Sequence, residues 1–347
     1  MCNIAGYVGT RQAAPILVEM LKKQEGLAGG YYTGIVTCHE GKFYTYKLTG
    51  DTDYLLSQHD VLSMPGNIGI IHSRSKSGGG DEWAHPFAGY DPEGHVLNYY
   101  VANGTAGIYK DRKAETDALA RELEDEGYRF DSKIRLDDDT RYQTLSDGSK
   151  VHTSDVMAQL IARNMYHGMT AAAAMEKGFC DMPTELVGLM LASHTPGGIV
   201  YSATNFPMCA ARCDHGMYLA SAAAAFPEDA RFEQQLPPHT SGYVYKDRFE
   251  VIPYAQPLEP MDEMDARAVH AVYKIIENEL KSGEKSCKEL KAAARAAFRT
   301  RLTPVVRTVY EVLYAMKQEN LIDMHDVRVD GVYPHLTAPR TMISLKK

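Results

Sequence analysis

Three short stretches hold residue types that do chemistry. The first is Cys2, directly after the initiator methionine. Methionine aminopeptidase generally trims Met1 before a small residue, and trimming would leave Cys2 with a thiol and a free α-amine. That amine has a reference pKa of about 7.7–8.0, so near neutral pH it can take a proton. Base and nucleophile would then share one residue, the N-terminal-nucleophile arrangement. The plainer alternative is a cysteine packed in a strand. The second stretch, Leu97–Gly104, is an apolar run ending in Asn103-Gly104. Asn-Gly after a strand is commonly a turn, but an Asn amide and a Gly N–H can also hold a developing oxyanion. The third is Ile70–Ser75, then Gly78–Gly80, then Trp83-Ala84-His85-Pro86. Arg74 could clamp a carboxylate through two N–H groups, with the glycines as a lid; a surface hairpin with a solvated Arg is the alternative. Lys76-Ser77 precede the glycines, so this is no phosphate-binding Walker loop.

These residues need strands to present them. Asn3–Val8, Gly34–Cys38, Lys42–Lys47, Asn67–Ser73, Leu97–Ala102, Gly198–Ala203, Ala210–Ala220 and Ser241–Tyr245 are strand candidates. Ala14–Lys23, Lys113–Glu126 and Ser154–Tyr166 have helical spacing, so the expectation is a mixed domain of strands and helices. After the proline-rich stretch Pro253–Pro260 the pattern turns helical: Met264–Lys281, Ser286–Phe298 with a Ser cap, and Pro304–Lys317 behind Thr303. Alternation around Asp330-Gly331 predicts a closing hairpin. Three helices and a hairpin outline a small winged-helix-like module.

The three stretches, in this order, resemble the class II glutamine amidotransferases, and in particular the glutaminase domain of the glucosamine-6-phosphate synthases. That family opens with Cys-Gly-Ile-Val-Gly-Tyr, and this chain has Cys2-Asn3-Ile4-Ala5-Gly6-Tyr7. Its Arg-Gly-Tyr-Asp-Ser-Ala-Gly is echoed faintly by Gly30–Ile35. His72-Ser73-Arg74, Ala84-His85-Pro86 and Asn103-Gly104 match its His-Thr-Arg, Ala-His-Pro and Asn-Gly, and Thr153–Ile161 parallels a later helix. The resemblance covers roughly residues 2–250. It implies an α+β fold, an αββα four-layer N-terminal-nucleophile hydrolase sandwich, with the winged-helix-like helical domain appended. By position, Cys2 would be the nucleophile, Asn103 and Gly104 the oxyanion donors, and Arg74 the substrate carboxylate's partner, with His85 anchoring the loop at the substrate. Glutamine would lose ammonia and leave a thioester for water to open. The substrate pocket departs from the family: Ser75–Gly79 replace Trp-Ala-Thr-His-Gly, and Thr153 stands where an Asp holds the substrate ammonium, with Asp155 two residues on. A related amide substrate, or an amide-sensing protein without catalysis, is the alternative.

The expected layout is 2–252 for this domain, 253–261 for a linker and 262–347 for the module. No sugar-isomerase domain follows, so an ammonia acceptor is expected on a partner protein. The 347 residues carry a net charge of −8, which disfavours a nucleic-acid coat. From Asp262 onward, however, 15 basic residues face 12 acidic ones. Arg295, Arg299, Arg301 and Arg307 give the module a possible DNA-binding reading, beside partner docking. The first residues resemble no signal peptide and no apolar run spans a membrane, so a cytoplasmic protein with reduced thiols is expected. Cys209, Cys213 and His215 could supply zinc ligands, but two buried thiols are the simpler reading; no metal and no cofactor are expected.

Overall fold

The alternating residues at the amino terminus form strand β1 (Asn3–Gly9), whose two faces bury in different cores. Ile4 and Val8 face one way, Ala5 and Tyr7 the other, as the two-residue period of a strand requires. The computed structural model describes residues 2–104, 112–136, 142–195, 197–204, 207–256, 258, 264–298 and 304–346.

Next come α1 (Ala13–Glu25), β2 (Tyr32–His39), β3 (Lys42–Thr49), α2 (Thr52–Gln58), β4 (Ile68–Arg74), β5 (Phe87–Tyr90) and β6 (Val96–Gly104). Helix α3 (Lys113–Asp125), the short β7 (Gln143–Thr144) and β8 (Lys150–Val151), α4 (Thr153–Tyr166) and α5 (Ala171–Asp181) follow. Strands β9 (Glu185–Ala192), β10 (Gly198–Ala203), β11 (Cys209–Cys213), β12 (Gly216–Ala220), β13 (Arg231–Gln235), β14 (Thr240–Tyr245) and β15 (Phe249–Pro253) complete this part. They build a seven-stranded sheet, β13-β11-β12-β1-β4-β2-β3, and a six-stranded one, β15-β14-β10-β9-β6-β5.

The two sheets face each other through Ile4, Ile70, Val101, Leu189, Ile199 and Leu219. Leu17, Met20 and Leu21 of α1 cover the outer face of the first sheet. Val156, Leu160 and Phe179 of α4 and α5 cover the second. Helix, sheet, sheet, helix is the expected layering. Ala210–Ala220, read as one strand, is instead the hairpin β11–β12 turning at Asp214-His215. Both arms are almost wholly buried, so the apolar run does not show the break.

The carboxy-terminal part comprises α6 (Ala266–Lys281), β16 (Lys285–Ser286), α7 (Cys287–Ala297), α8 (Val305–Gln318), β17 (Ile322–Asp330) and β18 (Thr337–Leu345). Its strands pair in the order β16-β18-β17. Ser286 starts α7 through a capping box with Glu289. Thr303 lies outside the described residues, and Pro304 itself takes the N-cap position of α8. The hairpin turn spans 331–336 rather than the two residues Asp330-Gly331, because pairing stops at Asp330 and resumes at Thr337. Of the proline-rich stretch, 257, 259 and 260 lie outside the described residues.

The module's core does not close on itself. Leu27 and Ala222 of the first part pack with Val272, Ile276, Leu290, Val309 and Leu313. Among the described residues, no helix is long and apolar enough to cross a membrane.

Candidate active site

Cys2 stands at the head of β1, where the neighbouring strands also end. Asn3 pairs with Ser73 of β4, which brings Arg74 level with Cys2. On the other side Ser221, just past β12, donates its N–H to the Ile4 carbonyl and accepts from Ile4 N–H at 3.0 Å. Asn103 arrives from β6 in the second sheet. Its Nδ2 donates to the Cys2 carbonyl at 2.9 Å, and its Oδ1 accepts from Cys2 N at 3.0 Å. A longer Nδ2 contact reaches Ser221 Oγ at 3.4 Å. A register shift between Asn103 and Gly104 bulges the strand end beside Cys2.

The thiol of Cys2 lies 3.7 Å from Ser75 Oγ. Burial alone would raise its pKa, but the His72 ring, by hydrogen bonding and by charge, brings the thiol down to about 6, helped by the charge of the N-terminal ammonium and by the Ser75 backbone. His72 Nε2 faces the Ala102 carbonyl at 3.0 Å. A carbonyl only accepts, so Nε2 carries a proton. Nδ1 has no partner at ordinary hydrogen-bond distance among the described residues. Ring and thiol thus form a loose pair, with Nδ1 the ring nitrogen left for the thiol. From sequence, His72 enters only through the His72-Ser73-Arg74 match. Its spacing was the available signal: two residues before Arg74 on a strand, it shares Arg74's face.

Arg74 is buried yet has no carboxylate within ion-pair reach among the described residues. Its Nη1 donates to the carbonyls of Gly78 (3.1 Å) and Trp83 (3.2 Å), and its Nη2 to the Tyr142 hydroxyl (3.1 Å). The guanidinium also lies over the Tyr32 ring, 4.5 Å from its centroid. Rather than a solvated surface group, it is the post around which the glycine loop is folded. His85 stacks on His72 with centroids 3.8 Å apart, and neither of its ring nitrogens has a partner among the described residues. Burial first, then the charges of His72, His152, Arg74 and Lys47, hold His85 well below the usual histidine range. His152, the N-cap of α4, packs edge-on against it and is lowered in the same way.

Thr153 and Asp155 open α4 but turn to internal partners. Thr153 Oγ1 donates to Gln143 at 3.0 Å. Asp155 accepts from Ser132 N–H and Oγ (2.8 and 2.7 Å) and from Gln159 (3.1 Å). Burial pushes its carboxyl up to about 6 against those hydrogen bonds. The structure therefore brings Cys2, Asn103, Gly104, Arg74 and His85 to one end of the sandwich. It ties Thr153 to Gln143 and Asp155 to Ser132 and Gln159.

Away from this end, Cys213, His215 and Asp229 place ligand-type atoms within 4.8 Å of one another. His215 is already held there by Tyr7 (2.7 Å), Tyr218 (3.2 Å) and Asp229 (3.1 Å). Cys209 does not join the group, since its sulfur accepts from Gln235 at 2.8 Å. In the module, Arg307 pairs with Glu311 at 3.1 Å, while Arg299 and Arg301 lie outside the described residues.

Comparison with known proteins supports the same picture. A glutamine–fructose-6-phosphate aminotransferase (isomerizing) of Pyrococcus horikoshii is 30% identical over 253 residues, 72% of this chain and 37% of that protein. The enzyme of the same name from Methanosarcina mazei is 37% identical over 136 residues, 38% of this chain and 20% of its own length. The chain thus matches at most 37% of the length of these relatives. Among solved structures, a glutamine phosphoribosylpyrophosphate amidotransferase from B. subtilis aligns with a TM-score of 0.59 at 16% identity, over 80% of this chain and 58% of its own. At that identity the likeness concerns the fold. No family model matches the chain. Sequence and fold agree: the chain is similar to the amidotransferase part of these aminotransferases and shares the fold of a glutamine amidotransferase, matching the class II glutamine amidotransferase resemblance.

Proposed function

We propose that the chain is a cysteine-dependent amidohydrolase that releases ammonia from glutamine. The observation that carries this reading is Cys2 itself: a thiol drawn down to about 6, at the head of a central strand, with Asn103 on its backbone. After removal of Met1, the Cys2 thiolate attacks the side-chain amide carbon. Negative charge then develops on the amide oxygen, where Asn103 Nδ2 and the Gly104 N–H stabilise it. The 3.4 Å contact from Asn103 to Ser221 is the one an oxyanion can replace without freeing the Cys2 carbonyl. The α-amine, having taken the thiol's proton, delivers it to the leaving nitrogen as the C–N bond breaks; ammonia departs, and water opens the thioester to give glutamate and the free Cys2 thiol. Arg74 and the loop it organises receive the substrate carboxylate. The ammonia passes to an acceptor on a partner protein.

Residues 2–252 form the amidohydrolase domain and 262–347 a winged-helix-like module joined by the 253–261 linker. The third helix, α8, packs its apolar face beside Ala222 and places the Tyr314 hydroxyl 3.2 Å from Glu233 of β13. That favours docking within the chain over a DNA-groove role for this helix.

The test has two steps. Intact-mass measurement should show loss of Met1. Glutamine turnover should vanish in Cys2→Ala, and undiminished turnover there overturns the mechanism. A second reading rests on Asp155, which is fully buried and held by Ser132 and Gln159. With that carboxylate engaged, a substrate lacking the α-ammonium fits the pocket. Glutaramic acid, which is glutamine without its amino group, then outcompetes glutamine in kcat/KM; the reverse order returns the first reading.

A further inference from the structure

The tip of the hairpin β17–β18 rests on the glycine loop of the first domain. The seam begins at the loop after α1. There Thr341 N–H donates to the Gly26 carbonyl at 2.9 Å, and Lys291 of α7 donates to the Leu27 carbonyl at 2.8 Å. Two residues nearer the tip, Arg328 and Pro339 face each other across the hairpin. Arg328 pairs with Asp51, the buried N-cap of α2. Pro339 lies against Gly30, which holds φ +84°. At the tip itself, Lys76 Nζ donates to the Gly331 carbonyl at 2.9 Å. A Cβ on Gly80 would lie 3.4 Å from the Tyr333 hydroxyl, so Tyr333 stands directly over the backbone there.

The tip is braced. Gly331 N–H donates to the Leu336 carbonyl at 2.9 Å, and Leu336 N–H to the Tyr333 carbonyl at 3.0 Å. A Cβ on Gly331 would meet the Leu336 backbone at 2.8 Å, so this turn closes only around glycine. The glycine loop is thereby held on two sides. Inside, successive carbonyls accept hydrogen bonds: Ser77 from Tyr142 (2.8 Å), Gly78 from Arg74 (3.1 Å) and Gly79 from Tyr32 (3.2 Å). Outside, the module takes Lys76 and Gly80, which flank those carbonyls. Ser75 directly precedes Lys76, and its Oγ lies 3.7 Å from the Cys2 thiol. Direct contacts thus lead from the hairpin to Lys76, along one peptide unit to Ser75, and on to the sulfur.

We propose that the hairpin tip of the carboxy-terminal module is the outer wall of the amide site, with Lys76 and Tyr333 as positioning residues that hold the glycine loop against Cys2. This rests on Cys2 being the reactive centre of that site. A surface loop opens at the cost of the bonds it must break. The inner bonds come from Arg74, Tyr142 and Tyr32, which belong to the site itself. The outer contacts come from the module and add to the cost of opening. Removing one of them leaves the inner site intact and shifts the loop toward its open form. Lys76 is an exposed residue and Tyr333 is 42% exposed, so neither is needed to fill a core.

The test reads access to the thiol rather than turnover, so a failure to find glutaminase activity would count against the amide reading and leave this result standing. At pH 8 the Cys2 thiol is ionised, being held at about 6, and its alkylation rate there reports access. Iodoacetamide alkylation of Cys2 in the full chain is followed by peptide mass spectrometry. Lys76→Met and Tyr333→Ala should each speed it about fivefold, the weight of one ordinary hydrogen bond in an opening equilibrium. Amide hydrogen exchange over residues 76–80 should quicken by the same factor. Lys76→Arg keeps a donor for the Gly331 carbonyl and should keep the wild-type rate. A purely structural contact would lower the melting temperature and leave both rates in place. Alkylation and exchange in the Met and Ala variants that match the wild type overturn the proposal, whatever their melting temperatures.

Discussion

Asn103 and Cys2 hold each other by two opposed hydrogen bonds, amide to carbonyl at 2.9 Å and backbone N to amide oxygen at 3.0 Å. The pair joins strands of different sheets, so the Cys2 backbone is fixed by a residue 101 positions away.

Asn103→Ala removes both bonds and an oxyanion donor together. Glutamine turnover should fall by about 10²–10³ in kcat, the usual cost of one such donor. Asn103→Asp keeps the acceptor but has no amide proton, and it should fall similarly. A change within threefold in either variant would separate Asn103 from catalysis.

The pairing of His72 with the thiol predicts a pH dependence. Wild-type Cys2 alkylation should be half-maximal at about pH 6, because the thiol is held there. His72→Gln removes the charge and should carry the midpoint toward the ordinary thiol value of about 8.5. At pH 6.5 the variant should therefore react at least tenfold more slowly. An unmoved midpoint in iodoacetamide kinetics would assign the lowered thiol to another group.

Glu25 makes a prediction about stability. It is buried and accepts from Ser73 at 2.7 Å and from Thr52 N–H at 3.1 Å. Burial, with the charge of Asp51 adding to it, pushes its carboxyl from the ordinary 4.5 up to about 7. The folded state therefore binds the proton more tightly than the unfolded chain. Its contribution is fully present below about pH 4.5 and is lost as pH rises through 7. The loss is on the order of 3 kcal/mol. Glu25→Gln should flatten this part of the profile. Urea midpoints of both proteins at pH 5 and pH 8 test it, and parallel profiles would refute it.

Gly26 tests the seam. A Cβ there would meet Thr341 Oγ1 at 2.3 Å and Asp326 Oδ1 at 2.5 Å. Gly26→Ala should cost about 1–3 kcal/mol in denaturation, as overpacking does. Adding Thr341→Ala should return part of that, since it removes the nearest atom. Strict additivity of the two changes would mean that the module does not bear on this loop.

The catalytic end was legible in the sequence to the extent that local order carries it. Cys2, Arg74 and Asn103 each lie at a strand end, and strand ends converge once the strands pair. Thr153 and Asp155 were less legible because their partners, Gln143 and Ser132, belong to a segment whose path no spacing rule gives. His72 lies within the apolar run of β4, which reads as core from sequence; only the pairing of β4 with β1 brings it to the Cys2 end. Lys291 sits in an Ala- and Lys-rich helix whose lysines look alike. Docking against Leu27 is what singles it out.

Arg74 leads to a practical way of finding the ligand. Its guanidinium is buried on carbonyls, a phenol and an aromatic face, with no acidic counter-charge among the described residues. A carboxylate-bearing ligand seated there would bring that charge and bind only the folded chain. Occupancy and melting temperature are then coupled, by about 2.7 kcal/mol at a hundredfold excess over Kd. A thermal-shift screen of small carboxylic amides would rank candidate substrates by how strongly each stabilises the protein, even in a Cys2→Ala variant that turns none of them over.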